Sequence, residues 1–208
     1  MAQPKDFGFG PDEVMLRDSV RRCLDESAPM AAVRRLVADH DAIDEGGTRV
    51  AAYDREVWRR MVELGWTALG VPEAAGGLGM KLVAVAALAE EIGRHALPSP
   101  LPATLAATLL LREAEAGRAD PWLAKIAAGM SATVAVTDED GSWDPDRTSV
   151  RADVDRAGAV LDGTAYFVQD ARKAELFIVS AAAADGVGLF AVPADAPGVT
   201  IVPDAIVD

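Results

Sequence analysis

The stretch VAVTDEDGSWDP, Val134 to Pro145, gathers four carboxylates, Asp138, Glu139, Asp140 and Asp144, around Gly141. A calcium loop uses carboxylates in this way, with oxygen ligands at positions 1, 3 and 5, glycine at 6 and a bidentate glutamate at 12. With Gly141 at position 6, Asp138 and Asp140 fall at positions 3 and 5, but Val136 falls at 1 and Arg147 at 12. Valine offers no side-chain oxygen and arginine is a cation, so the spacing favours a solvated acidic turn over a metal site. The glycine run VPEAAGGLGM (71–80) is not G-x-G-x-x-G and lacks the Lys-Ser/Thr of a phosphate-binding P-loop; it reads as a tight connection between helices. His40 and His95 are far apart and belong to no metal-ligand spacing. Cys23 falls on an apolar helical stripe and reads as core. Glu90 and Glu91 precede Arg94 by four and three residues, the spacing of a helix-surface ion pair rather than of a general base. No Ser/His/Asp or Cys/His arrangement stands out, so spacing alone shows no catalytic group and no metal ligands.

The elements that must position these residues change character once, near residue 130. Before it the apolar spacing is helical: Leu16, Val20, Cys23 and Leu24 share one stripe behind Pro11, and Val57, Trp58, Met61 and Leu64 share another, with Asp54 as N-cap and Gly65 as stop. Further helices are expected to about Ala96, from Leu101 to Gly117, and from Pro121, with Asp120 as its cap. After Gly129 the pattern is strand: SATVAVT, then SVRADVD and AVLDGTAYFV about the turn RAG, then LFIVSAAAA and VGLFAVP about DG. The expectation is an α+β chain: an all-α N-terminal domain over 1–129, then an antiparallel, barrel-like β domain over 130–208, incomplete at its C-terminus. An open sheet edge there calls for more chain or a partner to cover it.

Length and charge narrow the partners. The chain has 208 residues, half of them apolar, and a formal charge of −13. It shows no basic patch of the kind that neutralises nucleic-acid phosphates. An acidic chain that takes an anionic cofactor must do so with local Arg, Lys or backbone N–H groups. One cysteine allows no internal disulfide, which points to the cytoplasm. The N-terminus lacks the apolar core of a signal peptide, and the longest apolar runs fall short of the roughly 18–20 residues of a membrane span.

Five stretches, in order, resemble the acyl-CoA dehydrogenase family: LRDSVRRCLDESAP; ELGWTALGVPEAAGGLGM, similar to its L-G…V-P-E-x-x-G-G-x-G; AEEIGRHALPSPL, similar to its E-E-L/I-G-R…P-x-P; IAAGMSATVAVT; and AVLDGTAYFVQDARKAELFIVSA, similar to its N-G-x-K-x-W/Y/F-I/V-T/S-N-A-x-x-A-D. The resemblance covers nearly the whole chain. It implies a helical domain and a middle β domain, followed in the family by a C-terminal four-helix domain that these 208 residues do not include. It implies FAD as cofactor and α,β-dehydrogenation of an acyl-CoA thioester, with the β-hydride passing to flavin N5. It also implies an electron-transfer flavoprotein or similar acceptor, and a homo- or hetero-oligomer.

Carried over motif by motif, Thr137, Phe167, Val168 and Gln169 stand at cofactor-binding positions. Phe167 would pack on the flavin ring and Gln169 would donate a hydrogen bond beside N5. Gly141 and Ser142 stand at substrate-binding positions, in a loop where the family has T-E-P-x-A-G-S-D and this chain has TDEDGSWD. The departures are that loop's lost proline and added acids, with Ala165 and Asp170 for the family's lysine and asparagine. No catalytic residue is assigned, because the family's glutamate would lie beyond Asp208. The alternative implied is a non-catalytic subunit of a heteromeric acyl-CoA dehydrogenase, with a degenerate flavin loop.

Overall fold

The computed structural model describes residues 9–38, 53–115, 117–156 and 158–203; His40 and the last five residues lie outside them. The chain divides into two compact units between Gly129 and Met130. The first contains six helices among its described residues: α1 (Pro11–Ser27), α2 (Met30–Ala38), α3 (Arg55–Glu63), α4 (Leu82–Arg94), α5 (Leu101–Arg112) and α6 (Asp120–Ala127). None is long and apolar enough to cross a membrane.

The expected stripes pack, except for Leu64, which follows the last residue of its helix and is 51% exposed. Val20 and Leu24 of α1, Val57 and Met61 of α3, and Val85, Leu88 and Ile92 of α4 form one core with Trp66, Leu69, Leu101 and Leu105, and Cys23 lies half-buried against it. Asp54 caps α3, accepting from Glu56 N at 2.8 Å and Val57 N at 3.2 Å. Three details differ from the sequence reading. Helix α2 was not expected; its nine residues bury only Val33, so they carry little periodic signal. Helix α5 ends at Arg112, short of Gly117. Asp120 is the first residue of α6 rather than its cap, and it makes no capping bond.

The glycine run folds as a tight connection. Its backbone closes on itself through Leu78 N to Ala68 O (2.9 Å), Gly79 N to Val71 O (2.8 Å) and Met80 N to Leu69 O (2.9 Å). A Cβ on Gly77 would sit 2.1 Å from Val71 O, so this position tolerates no side chain.

Glu91 is not on the helix surface. It is fully buried and accepts two bonds from Arg21 of α1, from Nε at 3.0 Å and Nη2 at 2.6 Å, while Arg94 stands 3.9 Å away. The hydrogen bond to Glu91, then its charge, raises the Arg21 guanidinium above its ordinary value. The i,i+3 spacing to Arg94 concealed a stronger partner seventy residues away in sequence. His95 is held by Glu91 O through Nδ1 (2.8 Å) and by Asp25 through Nε2 (3.0 Å), a structural role at the end of α4.

Among its described residues the second unit forms one five-stranded sheet: β1 (Ala132–Ala135), β2 (Val150–Val154), β3 (Ala159–Gly163), β4 (Leu176–Ala183) and β5 (Gly186–Pro193). Both expected hairpins form, β2 with β3 and β4 with β5. Strand β4 is central and nearly continuously buried, which explains its unbroken apolar run. The sheet is mixed and open among the described residues, where antiparallel and barrel-like pairing was expected. Strand β1 runs parallel to β4 over Leu176–Val179, and β2 meets β4 in parallel at Arg151 and Ala182. The connection over 136–149 is no hairpin; it carries the chain onward in the same direction, so β1 and β2 follow one another along a single edge of β4.

Candidate functional site

The loop after β1 is built around Asp138, whose side chain is only 5% exposed. Its Oδ1 accepts from Asp140 N (3.0 Å) and Ser142 N (2.8 Å), and its Oδ2 takes Arg147 Nε at 2.9 Å. Its backbone closes the turn, with Asp138 N on Ser142 O (3.2 Å) and Gly141 N on Asp138 O (3.1 Å). Gly141 supplies the left-handed corner, at φ 81°. Arg147 also pairs with Asp140. That bond, together with the charge of Asp138, raises the Arg147 guanidinium above its ordinary value. Asp144 caps the short turn 145–147 through Asp146 N at 3.1 Å. Arg147, at the position that spacing reserved for a calcium ligand, is instead the counter-ion of the two carboxylates.

Most of the loop's amides are therefore committed. Those of Asp138, Asp140, Gly141 and Ser142 all bond inside the turn, so it presents no cradle of free N–H groups to a phosphate. Ser142 Oγ accepts from Asp144 N at 3.1 Å, which leaves its own proton available to a ligand.

Thr137 ends β1's path into this loop, and the structure joins it to the other cofactor candidates. Tyr166 N donates to Thr137 O at 2.9 Å, which sets Phe167 next in line. Phe167 adopts a left-handed backbone (φ 52°) that displays its ring, 61% exposed, with its centroid 6.4 Å from that of Tyr166. A bulky residue pays for that conformation, and such strain persists where the surroundings impose it. Asp170 is also left-handed, at φ 53°, and binds Lys173 at 2.6 Å. Side chains of β1 and the residue before it anchor the segment. Thr133 Oγ1 donates to Gln169 O at 2.6 Å, and Ser131 Oγ donates to Lys173 O at 2.8 Å. Ser131 N donates to Glu175 Oε2 at 3.0 Å.

Thr137, Phe167, Val168 and Gln169 are thus brought into one region of the second unit, while Gly141 and Ser142 lie in the self-closed turn. Val168 is half-buried and the Gln169 side chain is exposed. Thr137 is buried, and its hydroxyl makes no hydrogen bond among the described residues. An exposed ring, an uncommitted hydroxyl and an exposed amide suit a flat heteroaromatic with polar edges. Sequence reasoning missed Asp138 and Arg147 as the pair that closes the loop; a carboxylate and an arginine nine residues apart in a turn carry no periodic signal.

The family model "Acyl-CoA dehydrogenase, N-terminal domain" matches residues 10–130. The chain belongs to the acyl-CoA dehydrogenase family. Over 146 residues it is 37% identical to acyl-CoA dehydrogenase FadE28 of Mycobacterium tuberculosis (strain ATCC 25618 / H37Rv), aligning 69% of this chain with 41% of that protein. Acyl-CoA dehydrogenase IpdE2 of the same organism is 36% identical over 127 residues, 61% of this chain and 36% of that one. Among solved structures, the Tcur3481-Tcur3483 steroid ACAD G363A variant superposes with a TM-score of 0.75 at 32% identity, over 90% of this chain and 49% of that one. The ChsE4-ChsE5 complex of M. tuberculosis shares the fold, with a TM-score of 0.78 at 24% identity, over 94% of this chain and 50% of that one. The chain thus spans about half or less of the relatives it matches.

Proposed function

We propose that this family member forms part of a FAD-dependent acyl-CoA dehydrogenase that introduces a double bond between Cα and Cβ of an acyl-CoA thioester. The reading is supported above all by the Tyr166 N to Thr137 O bond, which ties the strand end that carries Thr137 to the residue before the exposed ring of Phe167. Bound FAD would supply the hydride acceptor, N5. Phe167 would cover the flavin ring, Val168 would bound it, and Thr137 and Gln169 would fix its polar edge. Gly141 would let ligand approach the loop, and the Ser142 hydroxyl would orient the acyl-CoA. No carboxylate of this chain is assigned as the base. An electron-transfer flavoprotein or similar acceptor would reoxidise the enzyme. Flavin content and bleaching of flavin absorbance on adding acyl-CoA, measured on the full-length assembly, test the proposal. The similarity to a steroid ACAD directs that screen to steroid acyl thioesters first.

A second reading is a non-catalytic subunit in a heteromer, and the self-closed loop favours it. Asp138 occupies the amides of Asp140 and Ser142 with the chain's own carboxylate. The resemblance to the Tcur3481-Tcur3483 and ChsE4-ChsE5 proteins supports the same reading. Stoichiometric FAD on this protein expressed alone would refute it.

A further inference from the structure

Residues 130–208 contain five cations: Arg147, Arg151, Arg156, Arg172 and Lys173. Arg147 is committed to Asp138 and Asp140, and Lys173 to Asp170. Arg151 is exposed on β2, directly across from Asp162 of β3, and Arg156 is exposed beyond the end of β2. Arg172 differs from all four. Its Nη2 is enclosed by protein, and its guanidinium makes no hydrogen bond or ion pair among the described residues. The residue as a whole is only half-buried, so the rest of its planar fork stays reachable. Its segment is also rigid: Thr133 on Gln169 O, Ser131 on Lys173 O and Ser131 on Glu175 pin both flanks.

A partly desolvated, unpaired guanidinium on a turn pinned at both flanks costs stability. That cost is offset when an anion arrives and a still-accessible N–H of the same guanidinium donates it a charge-assisted hydrogen bond. The turn follows directly from Phe167–Gln169, while the acidic loop offers no run of consecutive free amides to a phosphate. We propose that Arg172 is the residue through which this acidic chain binds a phosphate of a nucleotide-type ligand, either the pyrophosphate of FAD or that of acyl-CoA. The proposal rests on the flavin and acyl-CoA reading above.

The test compares wild type, Arg172→Met, Arg172→Lys and the exposed control Arg156→Gln in the full-length protein. Dissociation constants are measured for FAD against riboflavin, and for acyl-CoA against the acyl-pantetheine that lacks every phosphate. Loss of one charge-assisted contact predicts that Arg172→Met weakens FAD or acyl-CoA about 10- to 100-fold. Riboflavin and acyl-pantetheine should change less than twofold, Arg172→Lys should recover part of the loss, and Arg156→Gln should do nothing. Whichever phosphorylated ligand responds identifies the source. Unliganded Arg172→Met should melt at or above the wild-type temperature, which a purely structural arginine would not allow.

Equal weakening of phosphorylated and unphosphorylated ligands, or no change in either, overturns the assignment. If wild type binds neither FAD nor acyl-CoA, the flavin reading fails, and inorganic pyrophosphate then decides Arg172. A rise in melting temperature in wild type that Arg172→Met abolishes supports the assignment, and no rise overturns it.

Discussion

Replacing Asp138 with alanine removes the acceptor of two backbone bonds, from Asp140 N at 3.0 Å and Ser142 N at 2.8 Å. Bonds to a charged acceptor contribute about 1.5–3 kcal/mol each, or roughly 3–6 kcal/mol for the pair. Asp140 and Gly141 are exposed, so water replaces part of what is lost, and about half that sum remains, roughly 1.5–3 kcal/mol. Hydrogen exchange reads the loss at the two amides themselves: both should exchange roughly 10- to 150-fold faster in Asp138→Ala, one decade for each 1.4 kcal/mol. Asp138→Asn keeps a neutral acceptor, so its loss should be about 1 kcal/mol and its acceleration roughly fivefold. If exchange at Asp140 and Ser142 is unchanged in Asp138→Ala, the carboxylate does not hold the loop.

Three further outcomes follow from particular contacts. Gly77→Ala places a Cβ 2.1 Å from Val71 O and should cost about 1–3 kcal/mol or more in thermal unfolding. Gly93→Ala, on the open face of α4, should instead stabilise by about 0.5–1 kcal/mol. Phe167→Gly should relieve the left-handed strain by about 0.5–1 kcal/mol in unliganded protein, yet weaken flavin about 3- to 10-fold through the lost ring, by melting and by fluorescence titration respectively.

The helical unit was legible because its stripes are long. Val20, Leu24, Val57, Met61 and the Asp54 cap repeat or punctuate at helical spacing, and the structure buries or bonds each as expected. Helix α2 escaped because its nine residues bury a single valine. The hairpins were legible from their turns, but the parallel pairings of β1 and β2 with β4 were not. They depend on where a fourteen-residue connection re-enters the sheet, and that is a tertiary fact. Ion pairs were read least well. Local spacing paired Glu91 with Arg94, and that pair forms at 3.9 Å, but the closer partner is Arg21, whose fork reaches both carboxylate oxygens. In the loop over 134–145 spacing removed the calcium alternative, but only coordinates show Arg147 holding the acids together.

Flavin binding by the full-length protein expressed without partners tests the proposed site most directly. A yellow protein with one FAD per chain, losing affinity in Phe167→Gly and bleaching with an acyl-CoA, is the result expected of a site built on Thr137 and Phe167. A folded protein that takes up no FAD, alone or with its partner, and whose Phe167→Gly variant behaves as wild type, would contradict it.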